Sequence, residues 1–324
     1  MTLISRVAES CFWLTRYLER AENVARLLRV NRAVDLDQPI EHAWMPLIVV
    51  IGEQERFEAL YDDRDDEQIQ NYMTWDERNP VSILSSIRWM RENARTIREV
   101  ISLETWQCAN RFWTWLQSPK ARSLYDEDPE EFYNRVTSLS VEMQGWTINT
   151  MMHDQPLEFT SLGRLLERAG QTARTLDVKY HMLGATDPSR VETPLESAEW
   201  VALLRSCSAV EPFFKKRNEM PNGARVADFL IFDTEFPRSV QHCLSGALGE
   251  LERIREGLPS GIGEISYQLV QQLDERLKTR TIDAVLEQGI HEELTYLVDS
   301  VSEICNQVHF DYFDPQPHGQ QTQQ

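Results

Sequence analysis

The chain is poor in cysteine, and none of its cysteines is close enough in sequence to another to share a task. The five, Cys11, Cys108, Cys207, Cys243 and Cys305, are odd in number and scattered, with no Cys-x-x-Cys step. A zinc ribbon and a disulfide framework are therefore not expected, and the thiols read as small buried hydrophobes in a reducing compartment. Glycine is also sparse, 13 among 324 residues. No phosphate loop, dinucleotide fingerprint or nucleophile elbow can be assembled from it. Gly261-Ile262-Gly263 lacks the preceding strand and following lysine that such motifs need. No period-two alternation appears, which removes strands. The longest apolar run, Met45 to Ile51, is far too short to cross a bilayer. Arg6, Glu9, Arg16 and Glu19 interrupt the N-terminal stretch, which does not read as a signal peptide. Basic residues are in deficit, 33 against 52 acidic ones, for a net charge of −19. A surface that acidic repels phosphate backbones, so nucleic acid is not an expected partner. Together these absences predict a soluble, cytoplasmic, all-α protein.

What the sequence does contain is a repeat. Residues 14–30 and 162–178, offset by 148, are identical at 10 of 17 positions: Leu14, Arg16, Leu18, Glu19, Arg20, Ala21, Ala25, Arg26, Leu28 and Val30 return as Leu162, Arg164, Leu166, Glu167, Arg168, Ala169, Ala173, Arg174, Leu176 and Val178. Two further pieces recur in the same order. Trp44 and Leu47 match Trp200 and Leu203. Tyr72-Met73-Thr74-Trp75-Asp76 through Pro80-Val81-Ser82 matches Phe229-Leu230-Ile231-Phe232-Asp233 through Pro237-Arg238-Ser239, offset by 157. Ordered recurrence of three pieces predicts an internally duplicated helical bundle with two pseudo-symmetric halves, residues 1–152 and 153–310. The Pro- and Gln-rich stretch 311–324 reads as a disordered tail.

Apolar residues three and four apart (Ile4, Val7, Cys11, Leu14, Leu18, Ala21, Ala25, Leu28) predict a long helix over about 3–31, and the second copy has the same stripe (Phe159, Leu162, Leu166, Ala169, Ala173, Leu176, Tyr180), with Pro156 in its first turn. Shorter helices are expected over 44–51, 80–101, 103–118, 129–152, 194–209, 223–232, 237–257, 264–278 and 282–309. Pro80 and Pro237 are expected at their first helical positions. Thr193-Pro194-Leu195-Glu196 has the form of a capping box.

With Leu18 at the centre of the buried face, Glu9, Arg16, Glu19, Arg20 and Asn23 form a strip on the far side of the first helix. Residues identical in both copies include this strip's Arg16, Glu19 and Arg20, together with Arg26. The second copy supplies Arg164, Glu167, Arg168 and Arg174. Arginine presents a fork suited to carboxylate or phosphate. Two readings have the same spacing: a structural network of Arg–Glu pairs between repeats, or a groove that receives an anionic ligand. A third segment, residues 88–98, places Arg91, Glu92, Asn93 and Arg95 beside its own apolar stripe, as the charged flank of a bundle helix. Glu287 and His291 are four apart, but a lone pair without a second Glu-x-x-His does not predict a metal site. No cofactor is expected.

Ser5-Arg6-Val7-Ala8-Glu9-Ser10-Cys11-Phe12-Trp13-Leu14, followed by Arg16-Tyr17-Leu18-Glu19-Arg20-Ala21-Glu22-Asn23, resembles the opening of the bacterial alpha-E domain family. So do Arg91-Glu92-Asn93-Ala94-Arg95, Glu104-x-Trp106, Phe236-Pro237-Arg238-Ser239 and Leu286-Glu287-Gln288-Gly289-Ile290-His291. One departure is Gly170-Gln171, where relatives often carry an acidic residue. The resemblance implies a wholly helical protein that accompanies a circularly permuted ATP-grasp ligase and a transglutaminase-like peptidase in a peptide-ligation or tagging system. Its expected role is accessory: docking the ligase, or holding an acidic peptide or phosphorylated intermediate on the Arg/Glu helices. Two other readings stand beside it. One is an enzyme with Glu9, Glu19, Glu92 or Glu104 as acid/base beside anion-holding arginines. The other is a structural homo-oligomer.

Overall fold

A computed structural model describes residues 5–37, 44–62, 65–184 and 194–314. Among these, every regular element is helical: α1 (Ser5–Asp37), α2 (Met45–Ile51), α3 (Gln54–Leu60), α4 (Asp66–Thr74), α5 (Ile83–Thr96), α6 (Leu103–Leu116), α7 (Pro119–Glu127), α8 (Pro129–Thr150), α9 (Gln155–Gly184), α10 (Pro194–Ser206), α11 (Val210–Arg217), α12 (Gly223–Phe232), α13 (Val240–Glu256), α14 (Glu264–Thr279), α15 (Ile282–Gln288) and α16 (Ile290–Val308), closed by a π-helical turn, His309–Phe313.

The long helices α1 and α9, which hold the repeated segment, lie side by side at the centre. They run parallel: Thr15 donates to the Thr160 carbonyl, and Asn23 meets Gln171 two turns further on. The backbones come close because position 163 is glycine; a Cβ there would lie 2.2 Å from the Phe12 carbonyl oxygen. Around this pair, α5 and α8 cover α1, while α13 and α16 cover α9. Two helices cross over. α2 packs on α9, and α10 packs on α1. A continuous apolar core therefore runs from Ala8 to Phe313, across the link between α8 and α9.

Caps mark most helix starts. Ser102, Ser118, Asp128, Asn222 and Thr281 each accept the backbone N–H three residues on. The two proline motifs behave differently from expectation. The helices begin at Ile83 and Val240, with Ser82 and Ser239 as N-caps, so Pro80 and Pro237 sit two residues before the cap. An Asx turn holds each proline segment there. Asn79 accepts from the Val81 N–H, and Asp233 accepts from the N–H groups of Glu235 and Phe236. The single helix expected over 282–309 is two, parted at Gly289 with φ 110°, outside the helical range of an L-residue. α7 and α11 lie where no helix was expected; Ser118-Pro119, a cap followed by proline at N1, was the readable signal for the first. Asp311 to Phe313 are not tail. Tyr312 and Phe313 are buried, with Phe313 5.5 Å from Phe12 between ring centres, because the turn closes the N-terminal end of the α1/α9 pair. Residues 315–324 and Thr193 of the capping pattern lie outside the described residues.

Glycine-to-alanine changes inside helices normally stabilise by about 0.5–1 kcal/mol. Gly163→Ala is expected to do the opposite and cost more than ~2 kcal/mol, since the backbones of α1 and α9 must part. Gly145→Ala in α8, where a Cβ meets nothing within 4 Å, is the matched control that should stabilise. Urea unfolding of the two variants checks the sign of each.

Candidate functional site

The Arg/Glu strip is not on the outside of α1. Glu19, Glu22, Asn23 and Arg26 are all buried, as are Glu167 and Arg168. The middle of the helix is enclosed, and the face opposite Leu18 is itself the seam with α9. Across that seam Arg20 forks onto Glu167, with Nε to Oε1 at 2.8 Å and Nη2 to Oε2 at 3.0 Å. Arg168 forks onto Glu19 in the same way, at 3.0 and 2.8 Å. Each Glu-Arg step thus gives one acid and one base to the other. Asn23 Nδ2 donates to Gln171 Oε1 at 3.0 Å, linking two positions also 148 apart.

Further groups thicken the junction on unequal terms. Arg16 joins Arg20 on Glu167 (2.8 Å) and lies over the Trp13 ring at 4.5 Å. On the other side Arg238, from the turn before α13, reaches both Glu19 and Glu22. Arg26 donates to Glu22, to Asn23 Oδ1 and to the Ser206 carbonyl at the end of α10. Gln144 of α8 completes Glu22 at 3.1 Å. Burial alone would raise the Glu19 carboxyl, but Arg168 and Arg238 outweigh it and hold it well below the usual carboxylate range. Glu167 is held down likewise, burial being outweighed by Arg20 and Arg16. Both stay ionised.

Beside this junction lies a cavity of about 240 Å³. Arg16, Arg20 and Arg174 reach into it, with Glu167, Gln171 and Gly170 of α9 as its floor. Gly52 and Glu53 close one side, and Val81, Val298, Val301 and Ser302 supply the rest. Among the described residues Arg174 makes no hydrogen bond or ion pair. Burial, reinforced by the nearby Arg20 charge, lowers its pKa, only partly offset by the carboxylates of Glu167 and Asp299. Glu53 is engaged elsewhere, by Arg56 at 2.9 Å and the Tyr72 hydroxyl at 3.4 Å. The cavity is thus lined by three guanidiniums and one carboxylate available to them.

The remaining predicted site residues lie apart. Glu9 stands nearer the N-terminus of α1, 3.7 Å from His309. Arg91, Glu92 and Arg95 pair with one another on the outer face of α5, and Asn93 bonds back to the Trp89 carbonyl. Glu104 is exposed on the first turn of α6. Arg164 faces a different cavity of about 410 Å³, with Glu158, Glu250 and Arg253. His291 pairs with Asp177 at 2.7 Å; among the described residues no three His, Cys, Asp or Glu side chains gather as a metal site. Burial pushes all five thiols up, Cys11 to about 12, Cys108, Cys207 and Cys243 to about 11, and Cys305 likewise upward, which leaves them poor nucleophiles. Among the described residues no helix is long and apolar enough to cross a membrane.

Compared with known proteins, residues 3–313 match the sequence model of Alpha-E, "a predicted alpha-helical domain with a conserved ER motif". The chain belongs to the Alpha-E family. It is also similar to uncharacterized proteins of Mycobacterium bovis and of two strains of Mycobacterium tuberculosis, at 24% identity over 91% of this chain and 35% of each relative. The chain therefore spans about a third of the length of these curated relatives. No solved structure matches it. Three residues of the Alpha-E junction lie outside the sequence-based site: Glu22, Gln144 and Arg238. Glu22 differs between the copies, so their identity does not mark it; Arg238 is visible in sequence only as the middle of the echoed Pro-Arg-Ser.

Removing one partner of a buried ion pair strands the other charge. Glu167→Ala is expected to destabilise the Alpha-E fold by about 3–5 kcal/mol, whereas Glu92→Ala on the surface costs under ~1 kcal/mol; denaturant melts compare them. The acid limb follows from the depressed carboxyls. In the unfolded chain Glu19 and Glu167 return to ordinary values near 4.5. Their contribution is complete above that pH and is lost as pH falls below it, by up to ~2.7 kcal/mol per pH unit for the two. Unfolding free energies between about pH 2.5 and 5 should show that slope, and Glu167→Gln should remove about half of it.

Proposed function

We propose that this Alpha-E chain is a helical accessory component of an amide- or peptide-ligating system, and that it holds an anionic ligand in the Arg16/Arg20/Arg174 cavity. One observation carries the reading. In a chain of net charge −19, three arginines converge on a single cavity and two of them share its one available carboxylate, while Arg174 faces the cavity bare. Arg174 is half-buried, and a guanidinium partly withdrawn from water without a fixed partner is costly, a cost that an anion relieves. The ligase and transglutaminase-like partners come from the family resemblance; relatives in which the matching region is about a third of a longer protein fit a component that works beside other domains. An acidic peptide or a phosphorylated intermediate is the ligand class this supports.

The same geometry supports the duplication reading, with halves 1–152 and 153–310. The reciprocal Glu-Arg pairs, the crossed placement of α2 and α10, and matched turns at residues 48–53 and 204–209 all relate one half to the other. In those turns the Gly52 and Glu53 N–H groups bond to Val49 and Ile48, as those of Ser208 and Ala209 bond to Arg205 and Leu204. The steps Glu19-Arg20 and Glu167-Arg168 are then the natural candidates for the family's ER motif. The enzyme reading loses support. Glu19 is held ionised by two arginines, which makes it a weak base, and Glu92 and Glu104 are remote from the cavity. Part of the structural reading gains: the Arg–Glu network does join α1 to α9.

The test is a pull-down with the ATP-grasp and transglutaminase-like neighbours, followed by ATP-dependent ligation with and without this chain. Arg174→Ala should keep the fold, since the side chain bonds to nothing among the described residues, and should reduce ligation supported by the chain about tenfold or more. Equal ligation with wild type and Arg174→Ala would remove the cavity from the proposal.

A further inference from the structure

The two ends of the junction differ in a way that identifies what the cavity lacks. At one end Glu22 places its carboxylate between Arg26, one turn further along α1, and Arg238. Offset by 148, the positions of Glu22 and Arg26 are those of Gly170 and Arg174; offset by 157, Arg238 becomes Val81. Gly170, Arg174 and Val81 all line the cavity. The two arginines are also set alike. Arg26 sits against the end of α10 and bonds to the Ser206 carbonyl. Arg174 sits against the end of α2, so close that a Cβ on Gly52 would lie 2.7 Å from its Nη1. The first site is thus built around a glutamate carboxylate, and the second keeps the arginine while glycine and valine replace the glutamate and the second arginine.

Resting on the anion-cavity reading above, we infer that the cavity is a carboxylate receptor: the ligand brings from outside the group that Glu22 supplies from within. Its carboxylate sits on Arg174, with Arg20 and Arg16 alongside. Its stem is aliphatic, because the walls opposite are Val81, Val298 and Val301 rather than the Arg238 and Gln144 that surround Glu22. A free dicarboxylate and the acidic side chain of a peptide share this chemistry.

Filling the cavity from within is the test. The Gly170 Cβ position meets only Val301 Cγ1, at 3.4 Å, so α9 accepts a side chain there. Gly170→Glu recreates the spacing of Glu22 and Arg26, while Gly170→Ala reports helix propensity alone. Gly170→Glu is expected to melt higher than Gly170→Ala, and the excess to vanish when Arg174→Ala is added. Calorimetric titration of the full chain with glutarate, with a capped Ala-Glu-Ala peptide and with inorganic phosphate decides the ligand. Wild type and Gly170→Ala should bind a carboxylate probe, about tenfold or more weakened in Gly170→Glu and in Arg174→Ala. Tighter glutarate than peptide assigns a free acid, the reverse a peptide side chain. Binding of phosphate but of neither carboxylate would overturn this inference and leave the anion cavity standing. Binding of none of the three, or unchanged carboxylate binding in Gly170→Glu, would overturn it, and the first of these would remove the anion reading too.

Discussion

Arg20 on Glu167 and Arg168 on Glu19 fix how α1 and α9 can meet. A carboxylate or guanidinium taken out of water is tolerated only with its partner in hydrogen-bonding reach. Sliding α9 by one residue along α1 would break both forks at once, whereas an apolar seam of leucines and alanines could slip and repack. The ion pairs therefore act as a register device more than a source of net stability. Once the register is set, Gly163 must face the Phe12 carbonyl, α8 must bring Gln144 to Glu22, and α16 must stand over Gly170. The cavity's shape is a consequence of the same alignment.

Helix content was legible because the apolar period is long and uninterrupted in α1 and α9, and because proline and capping residues punctuate the shorter helices. The face assignment failed for a definite reason. A periodicity argument treats charge as a marker of solvent, and α1 carries a buried charge seam whose partners lie about 148 residues away. The repeat was the only feature of the sequence that pointed to it: Glu19 and Arg20 return as Glu167 and Arg168, and identity at charged positions fits a shared contact better than a solvated face. Attention to what the copies share also concealed what matters at the cavity. Glu22 and Gly170 differ between the copies, and their difference is what opens the space beside Arg174.

The junction holds five arginines (Arg16, Arg20, Arg26, Arg168 and Arg238) against three glutamates, Glu19, Glu22 and Glu167. The α1/α9 junction is thus locally cationic within a chain of net charge −19. Such a distribution cannot be judged from net charge, which speaks for the surface that a passing macromolecule meets.

The crossing of α2 and α10, and the reach of Arg238 back to Glu19 across 219 residues, have a consequence for synthesis. A chain growing at about 5–20 residues per second presents Glu19 roughly ten to forty seconds before Arg238 exists. Until Glu167 and Arg168 of α9 follow, α1 is an amphipathic segment with no partner for its charged seam, kept in solution by the very residues that later become interior. The strip that makes α1 look like a surface helix in sequence is, for the nascent chain, a surface; it becomes core only when α9 and the turn before α13 arrive.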